Sequence, residues 1–215
     1  MFTQKNRARL LMCSGIGLLI CAYLLFFHNT LEARRAGLYS EDALLQLNAS
    51  VSTSIKNNPT GIDFGFTPTD TDFSNLQMPL EHIDGYDYVG IVRIPKLNLS
   101  LPIINEWDEL SLKKAPCRYA GSAYTGNLIL CAHNYNQHFG RLQTLKLDDV
   151  IQLEDMDGNL FSYQIIQFVN LEKHQVSEML DGEWDLTLFT CVKGGQKRFT
   201  VRCKLVSVNN VVSSS

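Results

Sequence analysis

The sequence contains no CxxC pair, so the usual thiolate spacing of a zinc site is missing, and neither a metal nor a cofactor is expected. It shows no internal repeat, and no low-complexity tract beyond the terminal Ser213–Ser215, which excludes solenoid and array architectures. It lacks basic excess: 19 Lys and Arg stand against 22 Asp and Glu, a net charge of -3, so nucleic acid is not expected as a main partner. Apolar residues are plentiful. At 45% of 215 residues they suffice for one packed domain with additional segments.

One stretch lacks charge altogether. Leu10–Phe27, LLMCSGIGLLICAYLLFF, is 18 residues long, enough to cross a bilayer as a helix. Lys5, Arg7 and Arg9 precede it, which favours a cytoplasmic N-terminus, although Arg34 and Arg35 follow on the far side. A cleaved signal peptide is the rival reading. The apolar run is long for one, and no clear small-x-small cleavage site follows. The expectation is an uncleaved, single-pass anchor in the cell membrane with the rest of the chain outside. Residues 1–9 are then a cytoplasmic tail, 10–27 the anchor, 28–85 a juxtamembrane helix and linker, and 86–210 the folded domain.

Within 28–85, residues 29–57 have apolar side chains near helical spacing at Leu38, Leu44, Leu45 and Leu47. Residues 58–80 carry Pro59, Gly61, Gly65, Pro68 and Pro79 among polar residues and read as a linker, with His82 just beyond in the same segment. Strand-like runs follow at 88–94, 99–104, 127–132, 150–155, 160–170, 185–190 and 198–208. A short helix is expected at 139–146, and Asp157-Gly158 marks a hairpin. Short strands with few helices indicate an all-β-dominated barrel or sandwich. In the last run alternation puts Phe199, Val201, Cys203 and Leu205 on the core side and Arg198, Thr200, Arg202 and Lys204 on the other.

Cysteine usage separates by position. Cys13 and Cys21 lie in the anchor, and Cys203 reads as a small core residue. Cys117, Cys131, Cys191 and Cys203 lie in the exported part, where disulfides are permitted. Cys131 shares parity with His133, so a redox pairing with Cys191 is one reading. Cys191 ends its strand, where reactive groups are displayed, and Lys193, Lys197 and Arg198 follow it. It is either a partly buried free thiol or a nucleophile. A cysteine nucleophile needs a histidine. His133 ends the 127–132 strand, His138 reads as exposed in a polar loop, and His174 as a solvated surface residue.

These residues occur as CAH (131–133), TLFTC (187–191) and Arg198, after YVGIVRIPKLNLSLPI (88–103) and HFGRLQTLKLDDVIQLEDMDG (138–158). The set resembles the sortases, cysteine transpeptidases of Gram-positive surfaces, over about residues 86–208. The family's glycine before the histidine is Ala132 here. LDD (147–149) replaces its leucine-x-glycine-aspartate, and the Cys191–Arg198 loop is short. No Asp-Pro-aromatic lid motif and no clear calcium-ligand cluster is found.

The resemblance implies a closed eight-stranded β-barrel with short helices. It implies a Cys191 thiolate that attacks an LPXTG-like sorting signal on a surface protein and forms a thioacyl enzyme. An amine from a peptidoglycan precursor or a pilin then takes the acyl group. His133 would be the general acid and base, Arg198 the oxyanion or backbone donor, and Thr190 a substrate-positioning residue. At unperturbed pKa values of about 8.5 and 6.5, thiolate is roughly 3% and imidazolium roughly 25% at pH 7, and both coexist in about 1% of molecules. The alternatives are a membrane-tethered cysteine endopeptidase that only hydrolyses, a non-catalytic binding module on the same scaffold, and a disulfide-linked surface module.

Overall fold

The computed structural model describes residues 4–57, 77–192 and 194–210. The expected 58–80 linker lies outside them except for residues 77–80, as does Lys193. The anchor and the juxtamembrane helix are one element, α1 (Gln4–Asn57), about 80 Å long at 1.5 Å per residue. Among the described residues it is the helix long and apolar enough to cross a membrane.

The second half of α1 lies against the sheet. Its buried stripe is Ala36, Ser40, Ala43 and Leu47, at i, i+4, i+7 and i+11. Of the four leucines in the expected pattern, Leu47 lies in this stripe and Leu44 packs beside it, whereas Leu38 is 65% and Leu45 72% exposed. Small side chains decide the contact, because they let the helix backbone come close. A Cβ added at Gly37 would stand 3.1 Å from Gln137 Cγ. The Ser40 hydroxyl donates to the Lys114 carbonyl at 2.9 Å.

The sheet has nine strands: β1 (Glu81–Ile83), β2 (Tyr86–Ile94), β3 (Leu99–Ile104), β4 (Cys117–Ala120), β5 (Leu128–Ala132), β6 (Val150–Asp155), β7 (Asn159–Glu172), β8 (Leu186–Cys191) and β9 (Lys197–Asn210). Their order is β1-β2-β3-β4-β5-β8-β9-β7-β6, and β2 also pairs with β6. Eight strands therefore form a ring, with β1 appended to β2 outside it. Two strands carry no clear sequence signal. β1 is three residues long and holds His82, whose Nδ1 is 2.7 Å from Asp87 Oδ1, and β4 is only four residues. The expected helix at 139–146 is a 3-10 segment, Phe139–Thr144.

Alternation fills the ring. Val92, Ile94, Leu128, Leu130, Leu153, Phe161, Leu186, Leu188, Val201 and Cys203 form one core, with Phe199 and Leu205 packed against it. Met78 reaches this core from before β1, and its sulfur accepts the Ala123 N–H at 3.4 Å. At the β6 approach, Asp148 occupies the position of the family's glycine with φ 69° and donates its N–H to the Ile165 carbonyl. The altered turn is thus retained, with an aspartate held in the left-handed region.

The other face of β9 is also covered. Thr200 and Arg202 are 0% and 2% exposed, because α2 (Val176–Leu180) and its flanks fold over them. The Arg202 guanidinium donates to the Met179 and Glu178 carbonyls and to Thr187 Oγ1, and it stacks on Trp184. Its fixed fork replaces a carboxylate partner with carbonyl acceptors.

Candidate active site

Sheet register brings the expected residues into one row. β5 and β8 are parallel, with Ala132 opposite Thr190 as the last pair. The next position places His133 beside Cys191. β8 and β9 are antiparallel, and Cys191 is the direct partner of Arg198. Directly opposed residues share a face. Cys191 and Arg198 therefore project together, on the side away from the Leu186, Leu188 and Val201 core.

Local chemistry holds these strand ends. The Thr190 hydroxyl donates to the Ala132 carbonyl at 2.8 Å, tying the Cys191 strand to the His133 strand. Thr190 is 1% exposed and faces inward, so it fixes the backbone beside Cys191 and does not line the cleft. Ala132 has ordinary negative φ, so a β-carbon in place of the family's glycine is tolerated. After Cys191 the chain turns through Gly194 and Gly195, both at positive φ, and the Val192 N–H meets the Lys197 carbonyl at 2.9 Å. Arg198 Nη1 donates to the Gly195 carbonyl at 2.9 Å and bonds weakly to the Lys197 carbonyl. Among the described residues the rest of its fork is left for another acceptor.

The three residues line one open cleft of about 240 Å³. One wall is aromatic: Trp107 packs on Tyr119 at 5.5 Å between ring centroids, and Tyr119 meets Phe189 edge-on at 5.3 Å. Gln175, Val176 and Met179, from the covering segment between β7 and β8, also line the cleft, with Met179 in the cluster that Tyr119 and Phe189 pack against. The Lys173 N–H donates to the Gln196 carbonyl, joining that segment to the loop after Cys191. Sequence reasoning missed this wall. Only Phe189 carried a signal, its parity with Cys191; Tyr119 comes from the four-residue β4 and Trp107 from the loop before it, both distant in the chain.

Charge around the thiol differs from the expected basic loop. Lys197 is engaged by Glu172 at 3.0 Å, while Lys173 and Arg198 line the cleft. His133 is half-buried. Burial pulls its pKa below the ordinary value, with Glu109 and Glu32 opposing and Lys113 assisting. Its Nε2 is buried without a hydrogen-bond partner among the described residues, and its ring packs at a tilt against Tyr135, 5.0 Å between centroids. Imidazolium is therefore scarcer at neutral pH than in an exposed histidine. The cleft is lined by a thiol, an imidazole and a guanidinium around one space. That set suits acyl transfer through a thioester.

The remaining cysteines separate from this chemistry. All six are free thiols. Cys131 lines the cleft floor but pairs with Phe189, two residues short of Cys191. That offset puts the Cα atoms about 8 Å apart, beyond disulfide reach without backbone movement. The redox pairing of Cys131 with Cys191 is therefore not supported. Burial holds the Cys131 thiol up at about 12 and raises Cys117 and Cys203 further. His138, expected to be exposed, is 0% exposed beneath α1. His174 is exposed.

A family model described as the Sortase domain matches residues 92–206. Sortase A of Bacillus anthracis is 29% identical over 133 residues, 58% of this chain and 62% of that protein. Sortase D of Bacillus subtilis is 30% identical over 128 residues, 55% of this chain and 64% of that protein. The chain thus spans less than two thirds of the length of these curated relatives. Among solved structures, a Streptococcus pneumoniae sortase C superposes with a TM-score of 0.56 at 19% identity, covering 77% of this chain and 97% of that one. A Listeria monocytogenes sortase A gives 0.53 at 21% identity, over 58% and 90%. The ring of eight strands is thus the sortase fold, and with more than half of its length matched by the family model this chain belongs to the Sortase family, whose members are cysteine transpeptidases.

Proposed function

We propose that this chain is a membrane-anchored transpeptidase acting on surface proteins with LPXTG-like sorting signals. The observation that carries the reading is the His133, Cys191 and Arg198 row in one open cleft. The Cys191 thiolate attacks the scissile carbonyl to give a tetrahedral oxyanion. The free part of the Arg198 fork donates to that oxygen or to the substrate backbone. The intermediate collapses to a thioester as His133 passes a proton to the leaving amine. His133 then takes a proton from the incoming amine, which displaces the thiolate and completes the new amide. The aromatic wall of Trp107, Tyr119 and Phe189 offers an apolar surface for the signal's side chains. The amine comes from a cell-wall precursor or a pilin.

The apolar half of α1 fits a single-pass anchor with the N-terminus in the cytoplasm and the barrel outside. Because α1 packs on the barrel, the full chain in detergent micelles is the proper test material. Intact mass after incubation with a panel of LPXTG-like peptides should increase by the N-terminal peptide fragment. Cys191→Ala should show no increase. An added amine should yield a conjugate. Free acid alone would mean hydrolysis, and absence of any adduct from a folded protein with a reactive thiol would favour a binding module.

A further inference from the structure

A second cavity, of about 360 Å³, lies between α1 and the barrel, apart from the catalytic row. Its lining includes Arg35, Tyr39, Tyr86, Lys113, Lys114 and Tyr135. Three cations face a single acid, Glu32, and none of the three is in an ion pair among the described residues. Lys114 is nonetheless held in place. Its Nζ lies 4.2 Å from the Tyr86 ring centre and 5.1 Å from that of Tyr39. An ammonium fixed by two aromatic faces keeps its donors for an acceptor that enters the cavity.

Position along α1 says where such an acceptor comes from. The apolar run ends at Phe27, and Arg35 stands eight residues later, about 12 Å along a helix. The headgroup layer occupies roughly 5–7 Å beyond the hydrocarbon, and a long arginine side chain reaches back toward it. Arg34, exposed on the same turn, adds to the positive field. Tyrosine is the residue type that settles at this level, with its ring toward the apolar side and its hydroxyl in water.

We propose that this cavity binds the phosphate of an anionic membrane lipid. The inference rests on the reading of α1 as a membrane anchor. Lys113 and Lys114 on the barrel and Arg35 on α1 would share one phosphate. A bound lipid would thereby lock the barrel to the anchor and fix the height of the cleft above the membrane. Glu32 and Lys113, which border this cavity, are among the charges that bear on His133, after burial and Glu109.

The test is native mass spectrometry of the full chain released from detergent micelles with phosphatidylglycerol, phosphatidylcholine or inorganic phosphate alone. One phosphatidylglycerol should be retained per chain, with phosphatidylcholine lost. The double variant Lys113→Ala/Lys114→Ala should retain phosphatidylglycerol about thirtyfold less well. Arg35→Gln, on the exposed side of α1, should act in the same direction and serves if the double variant does not fold. Equal retention in the variants, or no preference over phosphatidylcholine, overturns the proposal. Binding of inorganic phosphate without lipid preference overturns the lipid source and leaves a soluble-phosphate site. Alkaline extraction of the chain from cell membranes is measured in parallel. Release by that treatment defeats the anchor reading itself, whatever lipid is retained.

Discussion

Two histidines five residues apart, in CAHNYNQH, end in opposite environments. His133 leaves β5 at the open end of the ring and reaches the cleft shared with Cys191 and Arg198. His138 turns back under α1, 0% exposed, against the backbone of Lys114 and Ala36, with neither ring nitrogen in a hydrogen bond of normal geometry. Tyr135 stands between them, 5.0 Å from one ring and 5.7 Å from the other. One region is open and leaves donors unused for a substrate. The other is closed by a helix and keeps its imidazole neutral. The difference is not composition but what folds over each end of the loop.

The comparison breaks most severely at the cleft. Arg198→Lys keeps the charge and loses the fork, so the ammonium cannot both hold the Gly195 carbonyl and reach an oxyanion. We expect kcat/KM for peptide transfer to fall about a hundredfold while the thermal midpoint changes little. A loss below threefold would mean that Arg198 only braces the turn.

The closed region is tested by acid. Burial, with His133 adding to it, depresses the His138 pKa to about 4, below its unfolded value of about 6.5. Folding therefore excludes a proton that the unfolded chain binds between those values. Stability is full above pH 6.5 and is lost as pH falls toward 4, by an amount on the order of 3 kcal/mol. His138→Leu, which leaves no unsatisfied ring nitrogen, should flatten this part of a melting-temperature profile. An unchanged slope would place the acid sensitivity elsewhere.

The smallest expected effect sharpens how α1 is attached. Ser40→Ala removes the hydroxyl that meets the Lys114 carbonyl in the helix-barrel contact. A destabilisation of about 1 kcal/mol in denaturant unfolding is expected, with transfer activity retained. Loss of activity without loss of stability would instead tie the helix contact directly to the cleft.

Much of the ring was legible because alternation is a local property. The period-2 pattern of 198–205 separates Arg198 from the Phe199, Val201, Cys203 and Leu205 row, and the structure keeps that separation. Strands as short as β1 and β4 leave too few residues for a pattern. The helix stripe was legible only in part, at Leu44 and Leu47, because leucines outweigh alanine and serine in any hydropathy reading. Close approach of two backbones selects the small residues instead.

That His133, Cys191 and Arg198 meet in one cleft was legible from strand ends and motif spacing, since a residue that closes a strand is displayed wherever that strand lies. Thr190 shows the limit of such reading. The motif marks it, yet its inward parity and its bond to Ala132 give it a bracing role. The aromatic wall, the burial of His138 and the basic cavity against α1 depend on contacts between segments far apart in the chain. No local periodicity encodes these, because each arises only when the ring closes and the helix lies down upon it.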